Sequence, residues 1–230
     1  MAKRSFDVVA GAVLCLIALP LIVLLALGTA ISLRSWPFFT QTRVGRRGQP
    51  FRVLKLRTLP RSFPRYAEKR SLEQLRLPWL SRFLRSHHLD ELPQLWHVPF
   101  GTMSLVGPRP EMPHLHAIGD PHFATARTSL RPGCTGLWQV SCDAQGMIWE
   151  NPEYDEFYIR HTSLKLDLWI LWRSVLILAG RREATIDQEG LAQLGTTMTP
   201  SIRPWPQILF TPGVAIQHAE HTTSSRGPEM

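Results

Sequence analysis

Two adjacent carboxylates, Asp90 and Glu91, are the residues of this chain whose types and spacing most directly suggest chemistry. Paired acids can hold Mg²⁺, which prefers oxygen ligands, and can supply a nucleophile. Taken alone, an Asp-Glu pair is more often a solvated acidic turn. A zinc hydrolase would use His87 or His88 together with Glu91, but no third ligand stands at a telling spacing. The rest of the sequence therefore has to decide whether the pair forms a site.

A short amphipathic helix is predicted around this acidic pair. Leu89, Leu92 and Trp96 recur at helical spacing, which predicts an apolar face that packs inward. Ser86 could cap the helix and would place both acids near its positive end. Because Pro93 has no amide hydrogen, we expect the helix to bend or loosen at the pair.

Arginines on rigid corners offer groups that bind phosphate. Arg109 stands between Pro108 and Pro110, and the preceding Gly107 permits close approach of a ligand. An arginine held in this way loses little entropy when its fork grips a phosphate. Arg131 opens a second corner rich in proline and glycine. For both corners, the alternative is a rigid turn with its arginine in solvent.

A basic β-hairpin is predicted ahead of the acidic pair. Residues 38–41 and 51–57 read as two short strands around a turn at 45–48, and Lys55 and Arg57 lie near the end of the second strand. The hairpin either contacts anionic lipid or binds phosphate. The whole chain carries 26 Lys and Arg against 18 Asp and Glu, which favours partners that bear phosphate. No nucleic-acid-binding motif appears, so nucleic acid is not expected as a partner.

An uncharged apolar run over residues 8–31 is long enough to enter a bilayer. It could be a signal peptide, a helix that spans the membrane, or a re-entrant helix that dips in and returns. Pro20 divides the run into halves of about 12 residues, each about 18 Å long and able to cross roughly one leaflet. Basic residues on both flanks favour the re-entrant form, because they are retained on the cytoplasmic side. The spanning helix remains open at this point.

Helices that suit a membrane interface are predicted further along the chain. Residues 79–85 are short, basic and amphipathic. Residues 165–180 are strongly apolar and form either a buried core helix or an interfacial one, and Trp169 and Trp172 favour the interface. Two more helices are predicted over residues 66–77 and 151–160.

These patterns predict an α+β, mainly helical fold. A membrane helix region broken at Pro20 covers residues 1–34, and a small catalytic domain with interfacial helices covers 35–183. A tail over 184–230 has little periodicity and is expected to be partly disordered. Three cysteines at unrelated spacings indicate no disulfide framework.

Five motifs in this order resemble the bacterial sugar transferase family, the small monotopic phosphoglycosyl transferases. Each motif alone is weak, but five in order are hard to obtain by chance. They are Lys3-Arg4-x-Phe6-Asp7 ahead of the apolar run, Lys55-Leu56-Arg57-Thr58, Leu89-Asp90-Glu91-Leu92-Pro93-Gln94-Leu95, Val106-Gly107-Pro108-Arg109-Pro110, and Arg131-Pro132-Gly133-x-Thr135-Gly136-x-x-Gln139-Val140. One departure is Leu19, which stands where the family often has a serine before the helix-breaking proline.

The resemblance implies transfer of a sugar 1-phosphate from a nucleotide sugar, usually a UDP-sugar, to undecaprenyl phosphate, with release of UMP. This would be the first membrane step of exopolysaccharide, capsule, lipopolysaccharide or glycoprotein synthesis. It also implies a covalent phosphosugar intermediate on an aspartate, a Mg²⁺ requirement and a re-entrant helix. The catalytic domain would lie on the cytoplasmic face of the bacterial inner membrane, and a homodimer is compatible with the sequence.

The resemblance also assigns roles to single residues. Asp90 would be the nucleophile and a Mg²⁺ ligand, and Glu91 would position the metal or shuttle a proton. The phosphate-binding candidates are Lys55, Arg57, Arg109 with the neighbouring Pro110, and Arg131. A non-enzymatic basic membrane adaptor, in which both acids would be dispensable, is the second alternative beside the zinc hydrolase.

Overall fold

The computed structural model describes residues 2–64, 75–117, 120–144 and 146–197. Within these ranges the protein is α+β and mainly helical, which confirms the predicted class. The helix predicted over residues 66–77 falls largely outside the described residues, and so does the tail beyond residue 197.

The N-terminal apolar run forms helix α1, Ala2–Leu33, which is long and apolar enough to cross a membrane by length and composition. The helix is continuous through Pro20, where the sequence predicted a break. A proline removes one internal hydrogen bond, but here the helix continues past it instead of ending. Most of its middle section is apolar and exposed.

Both end segments of α1 contact the rest of the protein. Near the start, Asp7 accepts hydrogen bonds from the Ser104 hydroxyl at 2.7 Å and from the backbone N–H of Leu105 at 3.1 Å. Near the end, Ala26 is buried in a small apolar cluster with Leu56 and Leu84. The helix is therefore fastened to one body at two places.

The predicted β-hairpin is confirmed. Strands β1, Phe38–Val44, and β2, Pro50–Leu56, pair antiparallel around a 3₁₀ turn at Arg46–Gly48. Gly48 has φ +73°, a conformation that favours glycine and allows the tight turn. The register places Phe39 opposite Lys55.

Two helical segments follow the hairpin and carry the acidic pair. Helix α2, Trp79–Ser86, confirms the predicted amphipathic segment. The 3₁₀ helix Leu89–His97, called the dyad helix because it contains Asp90 and Glu91, follows directly. Beyond it come β3, Ser104–Val106, and the short helices α3, Pro113–His116, and α4, Pro121–Ser129.

The two corners rich in proline and glycine pack against each other. Strand β4, Gly133–Thr135, pairs in parallel with β3, with Ser104 opposite Gly133. A Cβ atom added at Gly107 would lie 2.4 Å from the carbonyl oxygen of Arg131. The close approach that Gly107 permits is therefore made by the second corner, and not by a ligand as the sequence suggested.

The remaining helices complete the core. Helix α5, Glu153–Arg160, starts two residues later than predicted, and helix α6, Leu164–Leu178, covers the predicted apolar segment. Helix α7, Gln188–Thr197, buries Leu191 and Leu194 in the main apolar core. The folded body thus extends past the boundary expected at residue 183.

Helix α6 has two different faces. Leu166 and Ile170 are fully buried on one side. The other side is apolar but exposed, and its members are Leu164, Leu168, Trp172, Val175 and Leu178. The core interpretation is confirmed for the buried face, and the interfacial interpretation stays a prediction for the exposed apolar face.

Candidate active site

The dyad helix presents its residues differently from the predicted amphipathic helix. Ser86 does not cap it, because Ser86 ends helix α2 and the cap position is His88, which has φ 54°. The buried residues are Asp90, Pro93 and Gln94, while Trp96 is 54% exposed. The predicted inward face is wrong at Trp96, because a 3₁₀ helix repeats every three residues and not every 3.6, whereas Leu89 packs against the apolar cluster of Ala26, Leu56 and Leu84.

Glu91 is held by two cations. The Lys55 ammonium lies 2.6 Å from Glu91 Oε1, and Arg109 Nη2 lies 2.9 Å from the same oxygen. Burial acts to raise the pKa of Glu91, but Arg109 and Lys55 outweigh it and hold the pKa well below its usual value. Burial lowers the pKa of Lys55 even beside this carboxylate. Glu91, which has two partners, is therefore ionised near neutral pH.

Three elements bring these groups together. Lys55 comes from β2, Glu91 from the dyad helix, and Arg109 from the corner after β3. Arg127 Nη2 donates to the carbonyl oxygen of Arg109 at 2.9 Å, while Arg127 Nε lies 2.7 Å from Asp155 on α5. The position of Arg109 thus depends on a buried ion pair from two further helices.

Asp90 stands next to Glu91 but is differently placed. Its side chain is 9% exposed, and no hydrogen bond to its carboxylate is made within the described part of the chain. Burial and the neighbouring Glu91 charge raise the pKa of Asp90, against the attraction of Lys55, Arg85 and His88. A carboxylate without hydrogen-bond donors retains its lone pairs for an electrophile or a metal ion.

A narrow cleft with a volume of about 10 Å³, enough for about one water molecule, lies beside the two cations that hold Glu91. Its lining consists of Arg43, Val53, Lys55, Gln94, Arg109, Pro110 and Gly133. Three of these side chains are cationic, so the cleft favours a ligand that carries negative charge. Of the predicted phosphate-binding residues, Lys55, Arg109 and Pro110 meet here.

Two other predicted phosphate-binding residues are engaged elsewhere. Arg57 Nε donates to the carbonyl oxygen of Trp36 at 3.0 Å, beside β1. Arg131 Nε donates to the carbonyl oxygen of Gly101 at 2.9 Å. The structure therefore gives both side chains backbone contacts and does not place them in the cleft beside Glu91.

Asp90 is the carboxylate of this site that could bind a metal ion. Mg²⁺ is commonly held by one or two carboxylates together with substrate phosphates, so a single free carboxylate could take part in such a site when substrate is bound. In this arrangement Glu91 is occupied by Lys55 and Arg109, so Asp90 is the better placed ligand. No cluster of three or more His, Cys, Asp or Glu that could hold a metal ion, whether zinc or Mg²⁺, occurs among the described residues.

Some residues of the site were missed by the sequence analysis. Arg43 Nη1 donates to the carbonyl oxygen of Pro110 at 3.1 Å, and Arg85 lies close enough to Asp90 to lower its pKa. Arg127 lies in none of the five motifs, so no pattern in the sequence pointed to it. Gln94 stood inside a recognised motif, which was a usable signal, but no role was given to it.

Comparison with known proteins identifies related sequences. The family described as "Bacterial sugar transferase" matches residues 1–181. The chain is 39% identical over 188 residues to a UDP-glucose:undecaprenyl-phosphate glucose-1-phosphate transferase of Caulobacter vibrioides, covering 76% of this chain and 68% of that protein. It is 34% identical over 191 residues to the exopolysaccharide production protein ExoY of Rhizobium meliloti, covering 76% of this chain and 84% of that protein.

Another relative is named for a different sugar, N-acetylgalactosamine. A UDP-N-acetylgalactosamine-undecaprenyl-phosphate N-acetylgalactosaminephosphotransferase of Aeromonas hydrophila is 32% identical over 190 residues. The matched region covers 77% of this chain and 44% of that protein.

Proposed function

The chain belongs to the bacterial sugar transferase family and is therefore a transferase, and we propose that it transfers a sugar 1-phosphate from a UDP-sugar to undecaprenyl phosphate and releases UMP. Membership of a transferase family leaves no support for the non-enzymatic adaptor. The observation that carries the proposal is Asp90, which accepts no hydrogen bond from the described residues and stands next to Glu91, whose partners Lys55 and Arg109 line a cationic cleft.

The reaction proceeds in two displacements. An oxygen of the Asp90 carboxylate attacks the phosphorus that bears the sugar, and the bond from this phosphorus to the bridging oxygen breaks. UMP leaves with that oxygen, and the sugar phosphate remains on Asp90 as an acyl phosphate. A phosphate oxygen of undecaprenyl phosphate then attacks the same phosphorus, and the aspartyl oxygen leaves, so Asp90 returns as a carboxylate.

The surroundings of Asp90 suit a nucleophile. A carboxylate that already accepted several hydrogen bonds would be a poorer attacking group, and Asp90 accepts none from the described residues. Burial and Glu91 raise its pKa, which makes the ionised form more basic. Arg109 and Lys55 lie at the neighbouring carboxylate, where they can neutralise charge on the phosphates.

Glu91 is proposed as a positioning residue. It holds Lys55 and Arg109, which come from different elements, at distances of 2.6 and 2.9 Å. A bound Mg²⁺ would supply positive charge that screens the carboxylate from the diphosphate, with Asp90 as its carboxylate ligand. The proton-shuttle alternative for Glu91 is less favoured, because its two ion pairs keep the carboxylate ionised.

The contacts of α1 support a re-entrant placement in the membrane. Gly11 packs against Val98, and Ala26 packs against Leu56 and Leu84 of the same body. Fifteen residues of helix span only about 22 Å, which is less than the roughly 30 Å of hydrocarbon in a bilayer. A helix fastened to one body at both places does not cross the membrane between them. The basic residues on both flanks support a body on the cytoplasmic face of the inner membrane.

Exposed aromatic side chains support attachment at the membrane interface. Tryptophan is favoured at the boundary between lipid and water. Trp172 on α6 is 62% exposed, whereas Trp169 is half-buried with the Arg173 guanidinium 4.6 Å from its ring centre. Other large apolar side chains that are exposed outside α1 and α6 include Trp36, Trp79, Trp96 and Phe100.

The reaction is tested with the full chain in detergent, supplied with undecaprenyl phosphate, Mg²⁺ and a panel of UDP-sugars, by measuring UMP. We expect UMP release with at least one donor, its loss in excess EDTA, and its loss in Asp90→Ala. Full turnover by Asp90→Ala on an active donor would refute the nucleophile assignment. Persistent activity in EDTA would refute the metal requirement.

The membrane placement is tested with single cysteines at Ala2 and Ser35, in a background without the native cysteines. A membrane-impermeant thiol reagent is added to intact cells and then to opened cells. We expect both positions to react only after the cells are opened. Labelling of just one position from outside would show that α1 spans the membrane.

A further inference from the structure

Gln94 occupies a particular place on the dyad helix. In a 3₁₀ helix, residues three apart lie one above the other, so Gln94 shares a column with Glu91. At about 2.0 Å of rise per residue, the two positions are about 6 Å apart along the axis. Gln94 also lines the cleft together with Lys55 and Arg109, the two cations that hold Glu91.

The side chain of Gln94 is buried without a partner. Its relative exposure is 4%, and its amide nitrogen has no hydrogen-bond acceptor within the described residues. A buried donor that stays unsatisfied destabilises the folded protein, so such a group is usually satisfied by something else. An unsatisfied donor that lines a cleft is available to an acceptor that enters the cleft, either a water molecule or a ligand.

The chemistry of the cleft defines the acceptor. Arg43, Lys55 and Arg109 give the cleft a positive potential, and the proposed substrates both carry phosphate. We infer that the Gln94 amide nitrogen donates a hydrogen bond to a phosphate oxygen of a substrate bound in this cleft. The inference rests on the proposed function, and it adds a binding residue to which the motifs assigned no role.

Gln139 is a second glutamine whose side-chain amide is buried and unsatisfied among the described residues. Unlike Gln94, it does not line this cleft. Burial without a partner is thus not sufficient for the inference. Gln94 combines that burial with a place beside the two cations that bind Glu91.

The test uses Gln94→Leu, which has a similar size and removes the amide. Because the Gln94 amide nitrogen has no acceptor among the described residues, the variant should fold and melt at or above the wild-type temperature. We expect kcat/KM to fall about 10- to 100-fold, the loss typical of a hydrogen bond to a charged group. KM should rise for the UDP-sugar if its diphosphate is the acceptor, or for undecaprenyl phosphate if the lipid phosphate is.

Direct binding provides a second measurement that does not depend on turnover. The affinity of the full chain for UMP is measured by calorimetry in detergent, for the wild type, Gln94→Leu and Gln94→Glu. We expect weaker UMP binding in both variants if the nucleotide phosphate is the acceptor, and more so in Gln94→Glu, whose carboxylate repels phosphate. Gln193→Leu, on the exposed side of α7, is the matched control and should match the wild type.

The outcomes separate this inference from the proposed function. If the wild type releases no UMP from any UDP-sugar, the proposed function fails. If the wild type is active and Gln94→Leu has unchanged KM for both substrates and unchanged kcat, the inference about Gln94 is wrong and the proposed function stands. An increase in either KM in a variant of wild-type stability supports the contact.

Discussion

Substitution of each acid by its amide should change stability in opposite directions, although Asp90 and Glu91 are neighbours. Asp90→Asn removes a buried charge that has no hydrogen-bond donor among the described residues. Glu91→Gln removes the counter-charge of Lys55 and Arg109. Both amides are nearly isosteric with the acids, so the comparison reports charge and not packing.

The size of each effect follows from the surroundings. The raised pKa of Asp90 means that burial and Glu91 disfavour its charged form in the folded state relative to the unfolded chain, so Asp90→Asn should stabilise the protein. Single stabilising substitutions typically contribute about 1 kcal/mol. Removing one partner of a buried ion pair costs about 3–5 kcal/mol. Because the three side chains of the Glu91 cluster keep some exposure, we expect about 2–4 kcal/mol for Glu91→Gln.

The assay is thermal unfolding of the full chain in detergent, followed by tryptophan fluorescence. In a protein of this length, 1 kcal/mol shifts Tm by roughly 2–4 °C. Asp90→Asn should therefore melt about 3 °C above the wild type while releasing no UMP, and Glu91→Gln should melt about 5–15 °C below it.

The stability difference between each amide variant and the wild type should change with pH in a direction that can be measured. Since the pKa of Asp90 is raised on folding, the wild type gains a proton there as the pH falls, and the advantage of Asp90→Asn should shrink. The pKa of Glu91 is lowered on folding, so its contribution is complete above about pH 4.5 and is lost only at lower pH. An Asp90→Asn variant that melts below the wild type at neutral pH would refute this account of the buried carboxylate.

The acid limb of the pH–rate profile should lie above about pH 4, because only ionised Asp90 attacks and its pKa is raised; undiminished kcat/KM at about pH 4 would contradict this. Arg127→Lys should lower kcat about tenfold or more, because lysine cannot bridge Asp155 and the Arg109 carbonyl at once, whereas exposed Arg160→Lys should have no effect. Trp172→Asp should release the protein from membranes more readily in sedimentation assays, and retention equal to that of the wild type would show that this face of α6 does not contact lipid.

Much of the fold was predictable because it depends on local patterns. The hairpin followed from two apolar runs around a glycine turn, and helices α2 and α6 followed from their periodicity. The motif around Asp90 and Glu91 was one of the five that indicated the family. Local rules failed at the dyad helix, where the 3₁₀ repeat placed Gln94 inward and Trp96 outward, against the face predicted from α-helical spacing.

The fate of each charged group was decided by long-range contacts. Arg57 and Arg131 looked like phosphate ligands, but backbone carbonyls from distant segments accept their Nε–H groups. Arg127 had no motif, yet it supports the corner of Arg109. An arginine has several donors and a long side chain, so its sequence neighbours do not determine which acceptor it finds.

The amino-acid sequence by itself determined the family, the apolar helix and the pair of acids, because these depend on residue type and order along the chain. The tertiary structure alone separated the two acids. Glu91 is held by Lys55 and Arg109 from two other elements, while Asp90 is buried without a donor among the described residues. Charge and reactivity depend on what surrounds a carboxylate, and those surroundings come from residues that are distant in sequence.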